Sequence, residues 1–509
     1  MLTQTCRVLL LFGLVVPGVA VPAWTAPVRF NVTFTKAFSE VPLTGRLVLL
    51  LDTNLLIQPR DGAGPENIFN LQPFYSVPVA HWKPDTPIVI DDRTAFFLYR
   101  PSELPPRRYV VQAVLDTDGT TWSFATAPGN GYSEPLVFSI DPKGGASVDL
   151  AIANRVEAPR FEETKFNKEV DLESKLLSEF YGRPIRMKAA VVLPPSYFDN
   201  TTARYPVVYD IPGWGGTHYN VASNSRRYRK NAEGLDRILV ILNPDGPLGH
   251  HTFTDSANNG PRGRALVTEL IPDIERQFRV IAEPAARLLV GQSSGAWASL
   301  WLQINYPDFF GGAWTTSPDP VDFRSFVGDT DIYAPSANVF YDADLRHRTQ
   351  AVARGQQLLS VKEFSDMERV VGDGEQLGAW ESVFSRRAAD GNPERLFDRT
   401  TGLVDPAVAQ SWKKFDLRLI LETGWETLGP RLAGKLHIYV AREDTFLLDR
   451  PARLFAEALA KLKGDALVEF VDGNHFSVAD NAALRSRIND HIDKTLLAAF
   501  PTLGTNASR

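Results

Sequence analysis

A serine between two glycines, Gly291-Gln292-Ser293-Ser294-Gly295, follows the short apolar run "RLLV" and opens the amphipathic stretch "SGAWASLWLQI". A strand that turns into a helix at that point presents the Ser293 hydroxyl at the tip of the turn, and the flanking glycines let neighbouring backbone pack close. The N-terminus of the following helix directs N–H groups and the positive end of its dipole to where an oxyanion would form. A serine alone is a weak nucleophile. On such an elbow its carboxylate and its histidine base are expected further along the chain, in that order.

Of the eight histidines, His475 is placed for the task. It follows the apolar run "ALVEFV" after the turn residues Gly473 and Asn474. The acid is expected past the preceding run, "KLHIYV", where "AREDTFLLD" offers Glu443 and Asp444. Asp444 is preferred, because the loop that continues "DTFLLD" can turn the second carboxylate inward, and Glu443 stays open as the alternative. Asp449 reads as the start of the helix "RPARLFAEAL". A second oxyanion donor is expected from "VVYDIPGWGG", where Gly213, Gly215 and Gly216 allow close approach and the N–H of Trp214 would pair with that of Ser294. His250 and His251 lie in a polar loop after another strand and are expected to border the substrate pocket with Gly213 and Gly215.

These residues need elements to position them. From about Val28 to Arg155 short alternating runs such as "VRFNVTF", "GRLVLLLD" and "RYVVQAVLD", separated by Pro, Gly and Asp, predict a β-sandwich domain over residues 21–156. From residue 157 to 509 apolar strands alternate with amphipathic helices, which predicts a doubly wound, mostly parallel sheet covered on both faces. Between Ser317 and Lys435 lies an insertion of about a hundred residues with helical periodicity and many aromatics, expected to be a cap over roughly 320–430.

The chain has 509 residues, 44% hydrophobic and 22% charged, with a formal net charge of −6. Two domains can build full cores from this composition, and no basic footprint points to nucleic acid. Residues 1–20 place Arg7 before "VLLLFGLVV" and a small-residue site, the pattern of a secretory signal peptide, too short for a membrane span. The expected localisation is secreted or periplasmic. Cys6, the only cysteine, lies inside this leader, so no disulfide, cysteine nucleophile or Cys-ligated metal is expected in the mature chain. No H-E-x-x-H, Walker or dinucleotide pattern is present, and neither metal nor organic cofactor is expected.

"AAVVLPPSYFDNTTARYPVVYDIPGWGG", "GQSSGAWASLWLQINYPDFFGGAWTTSPDPVDF" and "KLHIYVAREDTFLLD", followed later by "FVDGNHFS", together resemble the esterase family that includes esterase D, enterochelin esterases, feruloyl esterases and mycolyltransferases. The resemblance runs from about Arg186 to the C-terminal helix. It implies an α/β-hydrolase fold, a triad of Ser293, Asp444 and His475, and backbone donors at Trp214 and Ser294. The expected reaction is hydrolysis of small-molecule or carbohydrate-linked carboxylic esters through an acyl-enzyme. An acyltransferase using the same triad, and a non-catalytic glycan- or siderophore-binding protein, are the alternatives.

Overall fold

The computed structural model describes residues 26–505, apart from 63, 65, 66, 120, 142, 143, 223–229, 232, 373 and 374. The leader expected at residues 1–20 lies outside the described residues.

The N-terminal strands form one hydrogen-bonded sheet. Its longer members are Ala26–Phe34, Leu43–Asp52, Phe74–Trp82, Arg108–Asp116 and Gly144–Arg155. The sandwich is this single sheet folded over. Phe30 and Tyr75, on strands near opposite ends of the strand order, face each other at 6.1 Å. Side chains alternate along an extended strand, and here both faces are buried. Leu47, Leu49 and Leu51 enter the core inside the fold, while Val48 and Leu50 join the core of the second region. That is why "VLLLD" reads as an unbroken apolar run.

The second sheet has eight strands, labelled here in chain order: β1 Asn167–Glu173, β2 Arg186–Val192, β3 Val207–Ile211, β4 Ile238–Leu242, β5 Arg287–Gln292, β6 Gly312–Thr316, β7 Leu436–Ala441 and β8 Leu467–Val471. Their order is β1-β2-β4-β3-β5-β6-β7-β8. The first two pairings are antiparallel and the rest parallel. Helices cover both faces. This is the α/β-hydrolase arrangement, and it brings the loops after β3, β5, β6, β7 and β8 to one edge, the usual place for a ligand in such a sheet.

Residues 318–434 fold over the elbow helix Ser294–Asn305. Phe384 lies 5.1 Å from Trp297 of that helix and 5.1 Å from Trp412, and Phe326 packs on Trp380 and Trp412. The insertion is less wholly helical than its periodicity predicts. Beside the helices Val361–Val371 and Gln376–Phe384 it carries a hairpin, Thr349–Ala353 with Gln356–Ser360. Arg354 and Gly355 make its turn with φ of 51° and 74°, the primed geometry that matches strand twist. Among the described residues no helix is long and apolar enough to cross a membrane.

Candidate active site

Ser293 holds φ 57° and ψ −125°, a strained conformation for a residue with a side chain. Its N–H donates to Thr316 O at 3.1 Å, and its carbonyl accepts from Trp297 N at 3.0 Å and Asp319 N at 3.3 Å. The glycines on either side are steric requirements. A Cβ at Gly291 would lie 2.4 Å from Gly295 O, and one at Gly295 would lie 1.9 Å from Ile211 O. Both distances are far inside contact, so the elbow closes against β3 only with glycine at both positions.

His475 opens the short helix His475–Asp480, capped by Asn474, whose side chain accepts from the N–H groups of Phe476 and Ser477. The imidazole is 4% exposed and its Nδ1 lies 3.0 Å from Asp444 Oδ2. Asp444 Oδ1 accepts from Phe446 N at 2.9 Å, and Gln292 Nε2 donates to His475 O at 3.0 Å. Of the two acids left open above, Asp444 is buried on the histidine and Glu443 is exposed. Asp449 begins the helix Asp449–Lys461 and pairs with Arg453.

The Ser293 hydroxyl donates to Asp319 Oδ1 at 3.2 Å, a residue that sequence reasoning missed. Asp319 stands three residues past β6 and is buried. Burial raises its pKa, and the hydrogen bonds from Ser294, Trp380 and Ser293 and the charge of His475 offset this only in part. Its signal lay in the quoted "TTSPDPVDF", since a carboxylate just beyond a strand of this sheet stands at the ligand-facing edge.

The loop after β3 reaches the serine. A Cβ on Gly213 would lie 3.3 Å from Ser293 Cβ, and Gly215 takes φ 74°. The Trp214 ring packs 4.6 Å from Trp122 of the N-terminal region. Ser294 is the first residue of its helix, whose leading N–H groups have no partner within the helix.

His250 and His251, expected to border the pocket, are buried behind that loop and line no part of the cavity. His250 Nε2 donates to Pro212 O at 2.9 Å, and its Nδ1 accepts from Thr252 N at 3.2 Å. Burial pushes His250 down to about 4 and His251 well below the ordinary histidine range. Both are therefore neutral struts. Their loop is polar by composition, but hydrogen bonds among His251, Thr252, Phe253 and Thr254 satisfy its tip, so these residues sit inside the molecule.

A cavity of about 490 Å³ opens over Ser293 and His475. Three regions wall it: Ile68 and Phe69 from a loop between strands of the N-terminal sheet, Phe364, Glu375 and Gln376 from the cap, and Gly213 to Gly216, Phe446 and Phe476 from the hydrolase region. Phe69 and Phe476 meet edge to face at 5.4 Å across the boundary. Among the described residues no cluster of His, Cys, Asp and Glu is grouped to hold a metal ion.

Comparison with known proteins finds that residues 183–385 match the family described as "Putative esterase". Esterase Rv1288 of Mycobacterium tuberculosis (strain ATCC 25618 / H37Rv) is 28% identical over 141 residues, 27% of this chain and 30% of that protein. Protein YbbA of Bacillus subtilis (strain 168), uncharacterized, is 28% identical over 134 residues, 23% of this chain and 51% of its own. The chain thus spans about a third to a half of the length of these curated relatives. Among solved structures, a ferulic acid esterase is 18% identical, with 65% of this chain and 100% of that chain covered at a TM-score of 0.42. An S-formylglutathione hydrolase from Agrobacterium tumefaciens is 16% identical, with 65% and 98% covered at a TM-score of 0.39.

Proposed function

We propose, from the esterase-family segment at residues 183–385 and the site built on it, that this protein is a serine hydrolase of carboxylic esters. The observation that carries the reading is the strained Ser293 elbow opening into the same cavity as His475, whose Nδ1 is held by the buried Asp444.

In this reading Ser293 Oγ attacks the ester carbonyl carbon while its proton passes to His475 Nε2. Asp444, on Nδ1, fixes the tautomer that leaves Nε2 free to accept and stabilises the imidazolium that forms. The carbonyl electrons move onto oxygen, where the N–H groups of Ser294 and Trp214 serve as donors. Collapse breaks the bond to the alcohol oxygen, which takes the proton from His475. Water then attacks the acyl-enzyme by the same sequence, releasing the acid and restoring Ser293.

The cavity's size lies within the range for small-molecule ligands, and Phe69, Trp214, Phe364, Phe446 and Phe476 favour an ester bearing an aromatic or extended apolar group. A carbohydrate-linked ester is one such substrate. The apolar leader favours export to the periplasm or medium.

A fluorophosphonate probe on the purified protein, followed by peptide mapping, tests the nucleophile. Label is expected on the peptide holding Ser293 and absent from Ser293→Ala. A folded wild type that takes no label would remove the reading.

A further inference from the structure

Three donors converge on the buried Asp319. Oδ1 accepts from Ser293 Oγ at 3.2 Å, and Oδ2 accepts from Ser294 Oγ at 2.6 Å and Trp380 Nε1 at 3.1 Å. The Asp319 N–H closes the arrangement on Ser293 O at 3.3 Å. One carboxylate therefore joins three parts of the site: Ser293, its neighbour at the head of the elbow helix, and an indole on the cap helix Gln376–Phe384.

A serine hydroxyl has a single hydrogen to donate. It cannot go to Asp319 and to His475 at once. In this structure it goes to Asp319, inside a space of about 20 Å³ walled by Ser293, Asp319, Gln376 and Trp380 among others, with room for about one water. Gln376 also lines the large cavity, so what fills that cavity touches the helix that carries Trp380.

Resting on the serine-hydrolase reading, we propose that Asp319 is a positioning residue that holds the Ser293 hydroxyl turned from His475, and that Trp380 sets the strength of this hold from the cap. Hydrogen bonds to an ionised acceptor are about twice as strong as neutral ones, so the carboxylate competes well for the hydroxyl. Each donor on Oδ2 draws negative charge away from Oδ1. Loss of the Trp380 N–H concentrates charge on Oδ1 and tightens the hold. An asparagine at 319 does the reverse: with its oxygen on Ser294 and Trp380, its amide nitrogen faces Ser293 Oγ as a donor and frees the hydroxyl hydrogen for His475.

The two variants thus move reactivity in opposite directions, which simple loss of packing cannot do. The experiment compares the second-order rate of fluorophosphonate labelling, kcat and KM on p-nitrophenyl acetate, and Tm for wild type, Asp319→Asn, Trp380→Phe and Ser294→Ala. Asp319→Asn is expected to label roughly three- to tenfold faster than wild type, the ratio of a charged to a neutral hydrogen bond. Trp380→Phe and Ser294→Ala are each expected to label several-fold slower, the change falling on kcat with KM little altered. The Asp319→Asn/Trp380→Phe double variant should follow Asp319→Asn alone. Slower labelling in all variants, in step with falling Tm, would overturn the proposal and leave Asp319 as a structural tie. Should Asp319→Asn fail to fold, the slowing in Ser294→Ala and Trp380→Phe at unchanged Tm decides the matter, and unchanged labelling there refutes the hold. A wild type without label refutes the serine-hydrolase reading itself, and the hold with it.

Discussion

His475 and His250 are equally buried, each about 4% exposed; His475 shares a cavity with the loop after β3, and His250 bonds to the Pro212 carbonyl in that loop. One meets a carboxylate at 3.0 Å and the other a backbone carbonyl at 2.9 Å. The carboxylate brings a full negative charge to a positive imidazole, whereas the carbonyl's partial charge is outweighed by burial, which pushes His250 down to about 4. Depth in the protein does not separate a base from a strut. The partner on the second nitrogen does.

The comparison breaks most visibly at the reacting groups. Ser293→Ala and His475→Ala are each expected to lower ester turnover by about four to six powers of ten, as steady-state kinetics would record; Tm should hold for Ser293→Ala, whereas His475→Ala leaves the buried Asp444 carboxylate without its imidazole and should melt earlier. Asp444→Asn should cost about four powers of ten, because an amide on Nδ1 permits the wrong tautomer. By contrast Glu443→Gln, one residue earlier and exposed, should leave turnover within about twofold.

For the strut, His250→Ala leaves the buried Pro212 carbonyl without its donor. It should lower stability by about 1–3 kcal/mol while turnover falls by no more than roughly tenfold. Chemical denaturation paired with kinetics would separate the two histidines by which quantity moves.

The pH dependence sharpens the contrast further. A histidine whose folded pKa lies below its unfolded value is held neutral, so its contribution to stability is complete above about 6.5 and is lost as pH falls toward about 4. Replacement by glutamine, His250→Gln, should therefore flatten the fall in Tm between those two values. Burial drives the buried Glu368 the opposite way, up to about 8, so its contribution is present in acid and is lost as pH rises from about 4.5 through 8. Glu368→Gln should soften the loss on the alkaline side. The smallest effect concerns the wall: Phe69→Ala should raise KM by about two- to tenfold with kcat unchanged, the worth of one aromatic contact with a substrate in the cavity.

Much of the frame was legible. Strands buried on both faces, such as Ile238–Leu242, carry unbroken apolar runs, and the glycines of the elbow stand where any Cβ would strike backbone. The edge strand Asn167–Glu173 was not legible, because only Val170 of its seven residues is buried and so leaves almost no periodicity. Asp319 escaped for a different reason. Its contact with Ser293 spans 26 residues between two loops, and no local pattern records a meeting of that kind. The loop of His250 and His251 misled through its composition, since its polar side chains bond inward to the Pro212 carbonyl and to their own backbone. Phe69 was hidden by distance, reaching the cavity from a loop of the N-terminal region that the sequence describes as a separate domain.

Ester hydrolysis by this site requires Ser293 to become covalently acylated. The direct measurement is acid quenching of the wild-type reaction with a p-nitrophenyl ester in its first turnovers, followed by mass analysis of the digested protein. A mass gain equal to the acyl group is expected on the peptide bearing Ser293, absent from Ser293→Ala. Ester hydrolysis that proceeds with no acylated peptide, or with the acyl group on another residue, would contradict it.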